Sequence, residues 1–471
     1  MKRRDFFKNG ALTALGASLL HPTKIFGSTS NAEINFKNKK AKNIIILVSD
    51  GMSIGTLNMT DMLLHRKTGQ YSNWLNLYRE NKVARALMDT ASASSLVTDS
   101  AAASSSWGSG FRVKNGSINV GVNGEAYLPL WQKFKKAGKK VGVVTTVPAT
   151  HATPAGFCVN SKSRNKQDKI AQMYLEHQID VIMGSGDKYF SAEKRKDKKD
   201  MYSAYKTVGY QVAKNRNQLN SLDNSKPILG VFGEYSLPYS VDRDNDSDLS
   251  EAYPTLSEMT QKAIDNLKNH SEGFTLLVEA GKVDWAAHGN DISALIYDQI
   301  AFDNAVKTAI DFAEKDENTL VIITTDHGNA NPGVIYGKGA NDNFDSIQTY
   351  KHSNEWILNG FNANSKISQV KERITYANNF TVTDEEAKLI LNYYHGLNQE
   401  DGLYNPRHLP FEVLATIQKK YNSVGWISMQ HSADYVELAM YGPGSELLKP
   451  FIKNTDLHYL MLQAAEVENR F

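Results

Sequence analysis

Aspartate, histidine and serine occur together in short motifs spread along most of the chain. The candidate site residues in and beside these motifs are Asp50, Asp99, Ser100, His151, Thr153, Arg164, Glu279, Asp284, His288, Asp326, His327 and His431. Imidazole nitrogens combined with carboxylate oxygens are typical Zn²⁺ ligands, whereas sites made only of oxygen atoms favour Mg²⁺. The residue types therefore predict metal chemistry if the fold brings them together.

The stretch from Val97 to Gly110, VTDSAAASSSWGSG, contains the most suggestive hydroxyl group. It predicts Ser100 in the first turn of a short helix whose small residues keep the surroundings open. There, backbone N–H groups and the helix dipole favour a bound anion. Taken alone, however, the stretch is more typical of a serine that caps a helix packed against a sheet.

Two further motifs place carboxylates next to imidazoles. Asp284 and His288 are four residues apart and share one face of a helix, and Glu279 ends the strand just before them. Asp326 and His327 are adjacent at the end of another apolar run. Acidic residues at a helix N-terminus remain an alternative explanation for the first of these motifs.

The elements that must position these residues are short apolar runs of strand length separated by helical patterns. The runs are 43–49, 140–147, 179–185, 227–233, 273–278, 319–325 and 435–441. They predict an α/β fold with a large, mostly parallel central sheet and helices on both faces. Ligand groups in such sheets lie just past the carboxyl ends of the strands, where most candidate residues occur.

The strand pattern is interrupted once. We predict a core formed by residues 40–328 and 429–471 and an inserted, cap-like region, 329–428, with helices at 383–394 and 410–421. The acidic run 242–251 is predicted to be a solvated loop. Its alternating carboxylates suggest calcium, but the glycine and terminal glutamate of a twelve-residue calcium loop are missing.

Residues 1–30 differ from the rest of the chain. Lys2, Arg3 and Arg4 precede a weakly apolar run, as in a twin-arginine-type export signal, which predicts a periplasmic or secreted protein. No later segment is apolar for long enough to span a membrane. The single cysteine, Cys158, excludes an intrachain disulfide, and a net charge of +2 gives no nucleic-acid-binding signature.

Taken together, the motifs resemble those of alkaline phosphatases of the metal-dependent, serine-nucleophile superfamily. The resemblance covers residues 42–329 and 429 to the C-terminus, through the blocks DGM, VTDSAAA, HATPAG, SKSR, VEAGKVDWAAH, TTDHGN and QHSAD. It implies an alkaline-phosphatase-like fold and hydrolysis of small-molecule phosphate monoesters by an enzyme that is often a homodimer.

The resemblance also implies a role for each site residue, with two zinc ions and one magnesium ion as cofactors. The implied metal ligands are Asp284, His288 and His431 for the first zinc, Asp50, Asp326 and His327 for the second, and Asp50, Thr153 and Glu279 for magnesium. Ser100 would be the nucleophile that forms a phosphoserine, and Arg164, oriented by Asp99, would hold two phosphoryl oxygens.

Two positions depart from part of the family. Some members have aspartate in place of His151 and lysine in place of Trp285. His151 offers the third metal less negative charge and is able to ligate zinc itself, which leaves the identity of that metal open. The alternatives to a phosphomonoesterase are a phosphodiesterase of the same superfamily and a non-catalytic periplasmic protein that binds metal or phosphate.

Overall fold

The computed structural model describes Phe36 and residues 39–400, 403–405 and 408–469, so the predicted export signal lies outside the described residues. In this part of the chain, one sheet has ten strands in the order β16-β2-β15-β8-β1-β7-β3-β4-β6-β5. They are β1 (Asn43–Ser49), β2 (Ala84–Asp89), β3 (Lys140–Pro148), β4 (Val181–Ser185), β5 (Gln211–Ala213), β6 (Ile228–Val231), β7 (Phe274–Ala280), β8 (Thr319–Thr324), β15 (Val436–Tyr441) and β16 (Phe451–Lys453).

Strand β1 lies in the middle of the sheet and is parallel to both of its neighbours. Ile45 lies opposite Leu276 of β7 on one side and opposite Val321 of β8 on the other. Among the described strands of this ten-stranded sheet, only β15 runs antiparallel, against both β8 and β2. The prediction of a large, mostly parallel sheet is confirmed.

The sheet separates two hydrophobic cores because successive side chains of a strand point to opposite faces. In β1, Ile45 and Leu47 join one core, whereas Ile44, Ile46 and Val48 join the other. All seven residues of this strand are buried. The continuous apolar run NIIILVS is therefore explained by helices that cover both faces.

Helices follow most strands and cover the sheet. They are α1 (Ile54–Thr68), α2 (Asn73–Arg79), α3 (Ser100–Ser109), α4 (Leu130–Lys136), α5 (Ala152–Cys158), α6 (Gln167–Glu176), α7 (Met201–Thr207), α8 (Arg216–Ser221), α9 (Ser240–Asp244), α10 (Ser247–Ala252), α11 (Leu256–Leu267), α12 (Gly281–His288), α13 (Ile292–Asp316) and α19 (Asn454–Ala464). Short 3₁₀ turns occupy Asp187–Tyr189, Ile347–Thr349 and Ser445–Leu447. None of the helices in the described ranges combines the length and apolarity that crossing a bilayer requires.

The region predicted as an insertion contains mainly helices. They are α14 (Ala340–Ser346), α15 (Asn354–Asn359), α16 (Ile367–Asn378), α17 (Asp384–Tyr394) and α18 (Phe411–Asn422). Two pairs of short strands lie within it, β10 (Gly333–Val334) with β13 (Val424–Gly425) and β11 (Gln399–Glu400) with β12 (Leu403–Tyr404). A third pair, β9 (Gly328–Asn329) with β14 (His431–Ser432), joins the two ends of the region. Helices α15 to α18 share a third hydrophobic core, whereas Phe344, Ile347 and Val424 join the first.

The prediction of a solvated loop at 242–251 is wrong, because α9 and α10 cover most of this run. Asp242 is buried and accepts hydrogen bonds from the Ser353 backbone N–H (2.9 Å) and hydroxyl (2.6 Å) at the start of α15. Asp246 caps α10 through the N–H groups of Asp248 and Leu249. The acidic residues serve as a packing contact and a helix cap, two roles that an alternating charge pattern does not reveal.

Candidate active site

The predicted helix after Asp99 is α3, and Ser100 is its first residue. Asp99 is the N-cap, since its Oδ1 accepts a hydrogen bond from the Ala102 N–H at 3.0 Å. Because Asp99 performs the capping, the Ser100 hydroxyl is not used as a cap and lies at the positive end of the helix. The site is enclosed here, since Ser100 is 2% exposed.

The small residues of α3 allow it to pack closely against α5. A Cβ atom at Gly108 would collide with the carbonyl oxygen of Gly156. The Ser104 hydroxyl donates a hydrogen bond to the carbonyl of Ala152 at 3.1 Å. This close contact brings Thr153, the second residue of α5, to the same end of the sheet as Ser100.

Three histidines enter the site with the same tautomer. The Nδ1 atoms of His288, His327 and His431 lie 2.7, 3.3 and 2.9 Å from the backbone carbonyls of Met429, Gly328 and Thr98. A carbonyl oxygen only accepts hydrogen bonds, so each Nδ1 carries the proton in the neutral ring. Each Nε2 atom therefore presents a lone pair, the state in which histidine binds a metal ion.

The first group of candidate ligands is Asp284, His288 and His431. The two Nε2 atoms lie 3.1 Å apart, and Asp284 Oδ1 lies 3.5 Å from His431 Nε2. Asp284 Oδ2 lies 3.5 Å from His288 Nε2. Two lone pairs and a carboxylate facing one another repel in the absence of a cation, so this arrangement fits a metal ion between them.

The second group is Asp50, Asp326 and His327, whose candidate ligand atoms lie within 4.8 Å of one another. Asp326 Oδ1 accepts hydrogen bonds from the N–H groups of Gly51 and His327, both at 3.0 Å. Gly51 has a φ of +66°, and a Cβ there would collide with the Asp284 carboxylate, so this position requires glycine.

The Ser100 hydroxyl lies beside this second group. Its Oγ is 3.4 Å from His327 Nε2 and 3.5 Å from Asp50 Oδ1. The distances place an oxygen nucleophile against a buried set of metal-type ligands, which is an arrangement able to activate a hydroxyl.

The third group is Asp50, His151 and Glu279, again within 4.8 Å. Glu279 Oε2 accepts a hydrogen bond from the Thr145 hydroxyl at 2.5 Å, whereas Oε1 has no hydrogen-bond donor among the described residues. The Thr153 hydroxyl is fully buried and likewise lacks a partner in the described chain.

The unpartnered buried atoms test whether metal ions fit. In the described part of the chain, no hydrogen bond reaches Asp50 Oδ2, Asp326 Oδ2, Glu279 Oε1 or Thr153 Oγ1. Leaving buried polar atoms unpaired costs free energy, and for carboxylates the cost is large. The pKa of Asp50 is raised, first by burial and then by the neighbouring charges of Asp326, Asp284 and Glu279. The residues therefore fit bound cations.

Arg164 lies in the loop before α6 and connects α3 to the third group. Its Nη1 donates to Asp99 Oδ2 at 3.0 Å, and its Nη2 contacts His151 Nε2 at 3.0 Å. A guanidinium only donates hydrogen bonds, so His151 Nε2 accepts and Nδ1 carries the proton of the neutral ring. That Nδ1 faces Glu279 Oε1 at 3.6 Å. In this arrangement His151 has no lone pair directed at Asp50 and Glu279, the other two members of the third group.

Trp285 borders the site without entering the ligand groups. Its ring lies edge-on to the His151 ring, with centroids 6.5 Å apart. The Lys282 ammonium lies 5.2 Å from the Trp285 ring centroid and 3.4 Å from that of Tyr239.

The structure thus brings every candidate site residue to the carboxyl-end edge of the sheet or to the loops beside it. Sequence reasoning missed two supporting residues. Asn329 Nδ2 donates to Asp284 Oδ1 at 2.7 Å, and the Thr145 hydroxyl donates to Glu279. Asn329 lies two residues after His327 in a motif already singled out, so the signal was available, whereas Thr145 lies inside a strand with no motif.

Comparison with known proteins agrees with this geometry. A family model described as alkaline phosphatase matches residues 41–467. The chain belongs to the alkaline phosphatase family. Alkaline phosphatases are phosphoric monoester hydrolases, and this chain is an enzyme of that class.

Similar proteins named alkaline phosphatase match this chain over nearly its whole length. The crystal structure of Thermus thermophilus alkaline phosphatase shares 30% identity, covers 92% of both chains and superposes with a TM-score of 0.84. A cold-active alkaline phosphatase from Shewanella shares 26% identity over 90% of this chain and 99% of its own, with a TM-score of 0.76. Alkaline phosphatase 4 of Bacillus subtilis is 29% identical over 97% of both chains. The predicted alkaline-phosphatase-like fold is confirmed.

Proposed function

We propose that this alkaline phosphatase family member hydrolyses phosphate monoesters by nucleophilic attack of Ser100, with two zinc ions and one magnesium ion in the three ligand groups. One observation carries the proposal. The Ser100 hydroxyl lies at the N-terminus of α3, within 3.5 Å of Asp50 and His327, which belong to a buried ligand set with unpartnered oxygens.

The donor atoms support the assignment of metals to groups. The two groups that contain histidine Nε2 atoms suit zinc. Asp284, His288 and His431, whose contacts are 3.1 to 3.5 Å, would hold one ion. Asp50, Asp326 and His327 would hold the other. Asp50, Glu279 and Thr153 offer only oxygens, which suits magnesium. When bound, the ions supply positive charge that lowers the pKa of the Ser100 hydroxyl and stabilises developing charge on phosphoryl and leaving-group oxygens.

The residues of the chain divide the reaction into two displacements. Ser100 Oγ attacks phosphorus, the bond to the alcohol oxygen breaks, and the alcohol leaves. Water then attacks the phosphoserine, the bond between Ser100 Oγ and phosphorus breaks, and inorganic phosphate is released. The N–H groups at the start of α3 and the Arg164 guanidinium stabilise the negative phosphoryl oxygens in both steps.

Asp99 and His151 orient the Arg164 guanidinium. The Asp99 carboxylate accepts a hydrogen bond from Nη1, and the His151 imidazole contacts Nη2. The Arg164 side chain remains 24% exposed. Because His151 accepts from Arg164, we assign it to positioning this arginine and leave the third metal to Asp50, Glu279 and Thr153. We therefore do not assign His151 as a zinc ligand, the role that the sequence left open.

We also propose that the enzyme is exported through the twin-arginine-type segment at residues 1–30 and acts in the periplasm or outside the cell. Detection of the processed chain outside the cytoplasm, and its loss in an Arg3→Lys/Arg4→Lys variant, tests this proposal. The homodimer implied by the resemblance is a separate prediction that sedimentation of the processed chain checks.

Trapping of the covalent intermediate tests the proposed mechanism. Metal-loaded enzyme incubated with substrate and quenched in acid is expected to yield a phosphopeptide modified at Ser100. The Ser106→Ala variant is a matched control, since Ser106 is a buried serine of the same helix whose hydroxyl donates only to the Ala102 carbonyl at 3.0 Å. Turnover by Ser106→Ala without phosphate at Ser100, or phosphate at a different residue, contradicts the proposal.

A further inference from the structure

A second charged region lies at the opposite end of the sheet from the active site. There, a cavity of about 470 Å³ opens beside the amino ends of β1, β3 and β7. Its charged lining residues are Lys40, Lys42, Lys133, Lys136, Lys139, Glu272, Glu466 and Glu468. Because β1 has seven residues, it separates this cavity from Asp50 by roughly 20 Å.

Two of the lining lysines are buried, and their recorded partners are uncharged. Lys139 is 6% exposed, and its Nζ donates to the backbone carbonyls of Lys42 at 2.7 Å and Glu272 at 2.8 Å. Lys133 is 4% exposed, and its Nζ contacts His458 Nε2 at 3.0 Å and Asn469 Oδ1 at 2.5 Å. Among the described residues, no carboxylate lies within 4.0 Å of either ammonium group.

The His458 ring does not supply a negative charge. Its Nδ1 lies 2.8 Å from the carbonyl of Trp107 and so donates, which leaves Nε2 to accept from Lys133. Burial and then the Lys133 charge lower the pKa of His458 to about 4, so the ring is neutral near pH 7. Lys133 therefore has polar contacts but no counter-charge within the described chain.

The exposed lysines at the cavity mouth add further positive charge. Lys42 is exposed, and its ammonium forms no recorded hydrogen bond or ion pair with the described residues. Lys40 has only a long contact of 3.6 Å with Glu466 Oε2, and both side chains are largely exposed. A surface ion pair of this kind contributes little.

We propose that this lysine cavity binds a phosphate-type oxyanion that carries more than one negative charge. Buried charges in proteins are normally paired, and among the described residues neither buried ammonium group has a carboxylate within 4.0 Å, so an anion in the cavity, beside the exposed Lys42 ammonium, supplies a counter-charge. An ammonium has three donors, so Lys133 and Lys139 each have one N–H beyond their recorded contacts. Phosphate oxygens accept hydrogen bonds from several lysines at once.

The titration of the lysines agrees with the geometry. Burial, together with the charges of Lys40 and Lys42 and against the opposing effect of Glu272, lowers the pKa of Lys139 to about 8. Burial also lowers the pKa of Lys133. Lys139 therefore remains mainly cationic near pH 7, and a bound anion stabilises the cationic form of both groups.

Binding of radiolabelled inorganic phosphate to the metal-loaded enzyme, measured by equilibrium dialysis near pH 7 at low ionic strength, tests the proposal. We expect two phosphate ions per chain, one at the active site and one in the lysine cavity. Lys139→Met, which keeps the length of the side chain, is expected to bind one. Lys40→Ala/Lys42→Ala, which changes only exposed side chains, is expected to weaken the second site about tenfold or more.

Lys388→Ala is the matched control, because Lys388 is an exposed lysine of α17 outside the cavity, and it is expected to keep both sites. The inhibition constant of phosphate against p-nitrophenyl phosphate reports the active site and is expected to be equal in all four proteins. One phosphate per chain in the unmodified enzyme overturns the proposal. Undiminished second-site affinity in the Lys40→Ala/Lys42→Ala variant also overturns it, even if Lys139→Met does not fold.

Discussion

Two sets of equally buried carboxylates differ in the number of hydrogen-bond donors that reach their oxygens. The site set, Asp50, Glu279 and Asp326, is at most 1% exposed, and each member has an oxygen without a partner in the described chain. The scaffold set, Asp291, Asp298 and Asp303, is at most 3% exposed and lies on α13 or at its N-cap. Burial alone therefore does not distinguish a ligand from a structural acid.

The scaffold set has protein donors for both oxygens. Asp303 accepts from the backbone N–H groups of Asn73 (2.7 Å) and Trp74 (2.9 Å) and so anchors the start of α2. Asp298 accepts from the N–H and hydroxyl of Ser240, and Asp291 from the N–H groups of Ala294 and Asn354. Burial raises their pKa values to about 8 for Asp291, 7 for Asp298 and 6 for Asp303. Carboxyl groups of this kind need no cation.

The comparison predicts that loss of the nucleophile leaves the site set intact. Ser100→Ala is expected to lower turnover of p-nitrophenyl phosphate by about 10³-fold or more, because no other hydroxyl replaces Oγ. Metal content, measured by elemental analysis, is expected to stay unchanged. Near-normal turnover in a metal-loaded preparation of this variant contradicts the assignment.

Removal of the metal ions is expected to have the next largest effect, on the melting temperature. Without cations the site carboxylates repel one another, so chelation with EDTA is expected to lower the melting temperature, and zinc with magnesium to restore it. Ions at a thousand times their dissociation constant stabilise a fold by about 4 kcal/mol. Asp298→Asn changes the scaffold set and is expected to show the same difference between stripped and loaded protein. A melting temperature that is insensitive to chelation in the unmodified enzyme contradicts the comparison.

Asn329 gives a candidate zinc ligand the kind of support that the scaffold set has, because its side-chain amide donates a hydrogen bond to Asp284. Asn329→Ala leaves Asp284 free to reorient and is expected to weaken zinc binding about 10- to 100-fold. The matched control is Asn73→Ala, which removes the side-chain donor at 2.7 Å from Asp303 in the scaffold set. Competition with a chromophoric chelator measures zinc affinity in both variants. If both variants lose the same amount of zinc affinity, the effect of Asn329→Ala is one of general stability, and the prediction is wrong.

The smallest expected effect is the pH dependence of stability from the scaffold set. Asp303 keeps its proton up to about pH 6 in the folded state, whereas its reference pKa is 3.8. Its contribution to stability is therefore complete below that reference value and is lost as pH rises through about 6. This loss is on the order of 1 kcal/mol between about pH 5 and pH 6.

Urea unfolding of the wild-type protein and of Asp303→Asn, each at several pH values, measures that slope. The variant lacks the titrating group, so its stability is expected to fall less over the same interval, apart from a constant offset. Parallel curves for the two proteins refute this assignment to Asp303.

Much of the active site was predictable because parallel strands end at one edge. Asp50, Asp326 and Glu279 follow or end buried apolar runs, and the fold class alone predicts that they meet. The helix that begins at Ser100 and the shared face of Asp284 and His288 follow from local pattern. These features depend on residues close in sequence or on a general property of the sheet.

Other features depend on contacts that no local pattern encodes. The tautomers of His288 and His431 are determined by carbonyls of Met429 and Thr98, which lie 141 and 333 residues away along the chain. The short strands β5 and β16 form at the edges of the sheet, where three residues give too little periodicity to detect. The burial of Asp242 depends on its distant partner Ser353. Long-range packing therefore decides these features.

The central claim is that a metal-dependent phosphomonoesterase site lies at the carboxyl ends of the strands. Hydrolysis of p-nitrophenyl phosphate and bis-p-nitrophenyl phosphate at alkaline pH tests it most directly, on metal-loaded enzyme, EDTA-stripped enzyme and enzyme reloaded with zinc and magnesium. We expect a strong preference for the monoester that is lost on stripping and regained on reloading. A preference for the diester, activity that survives stripping, or no activity on either ester contradicts it.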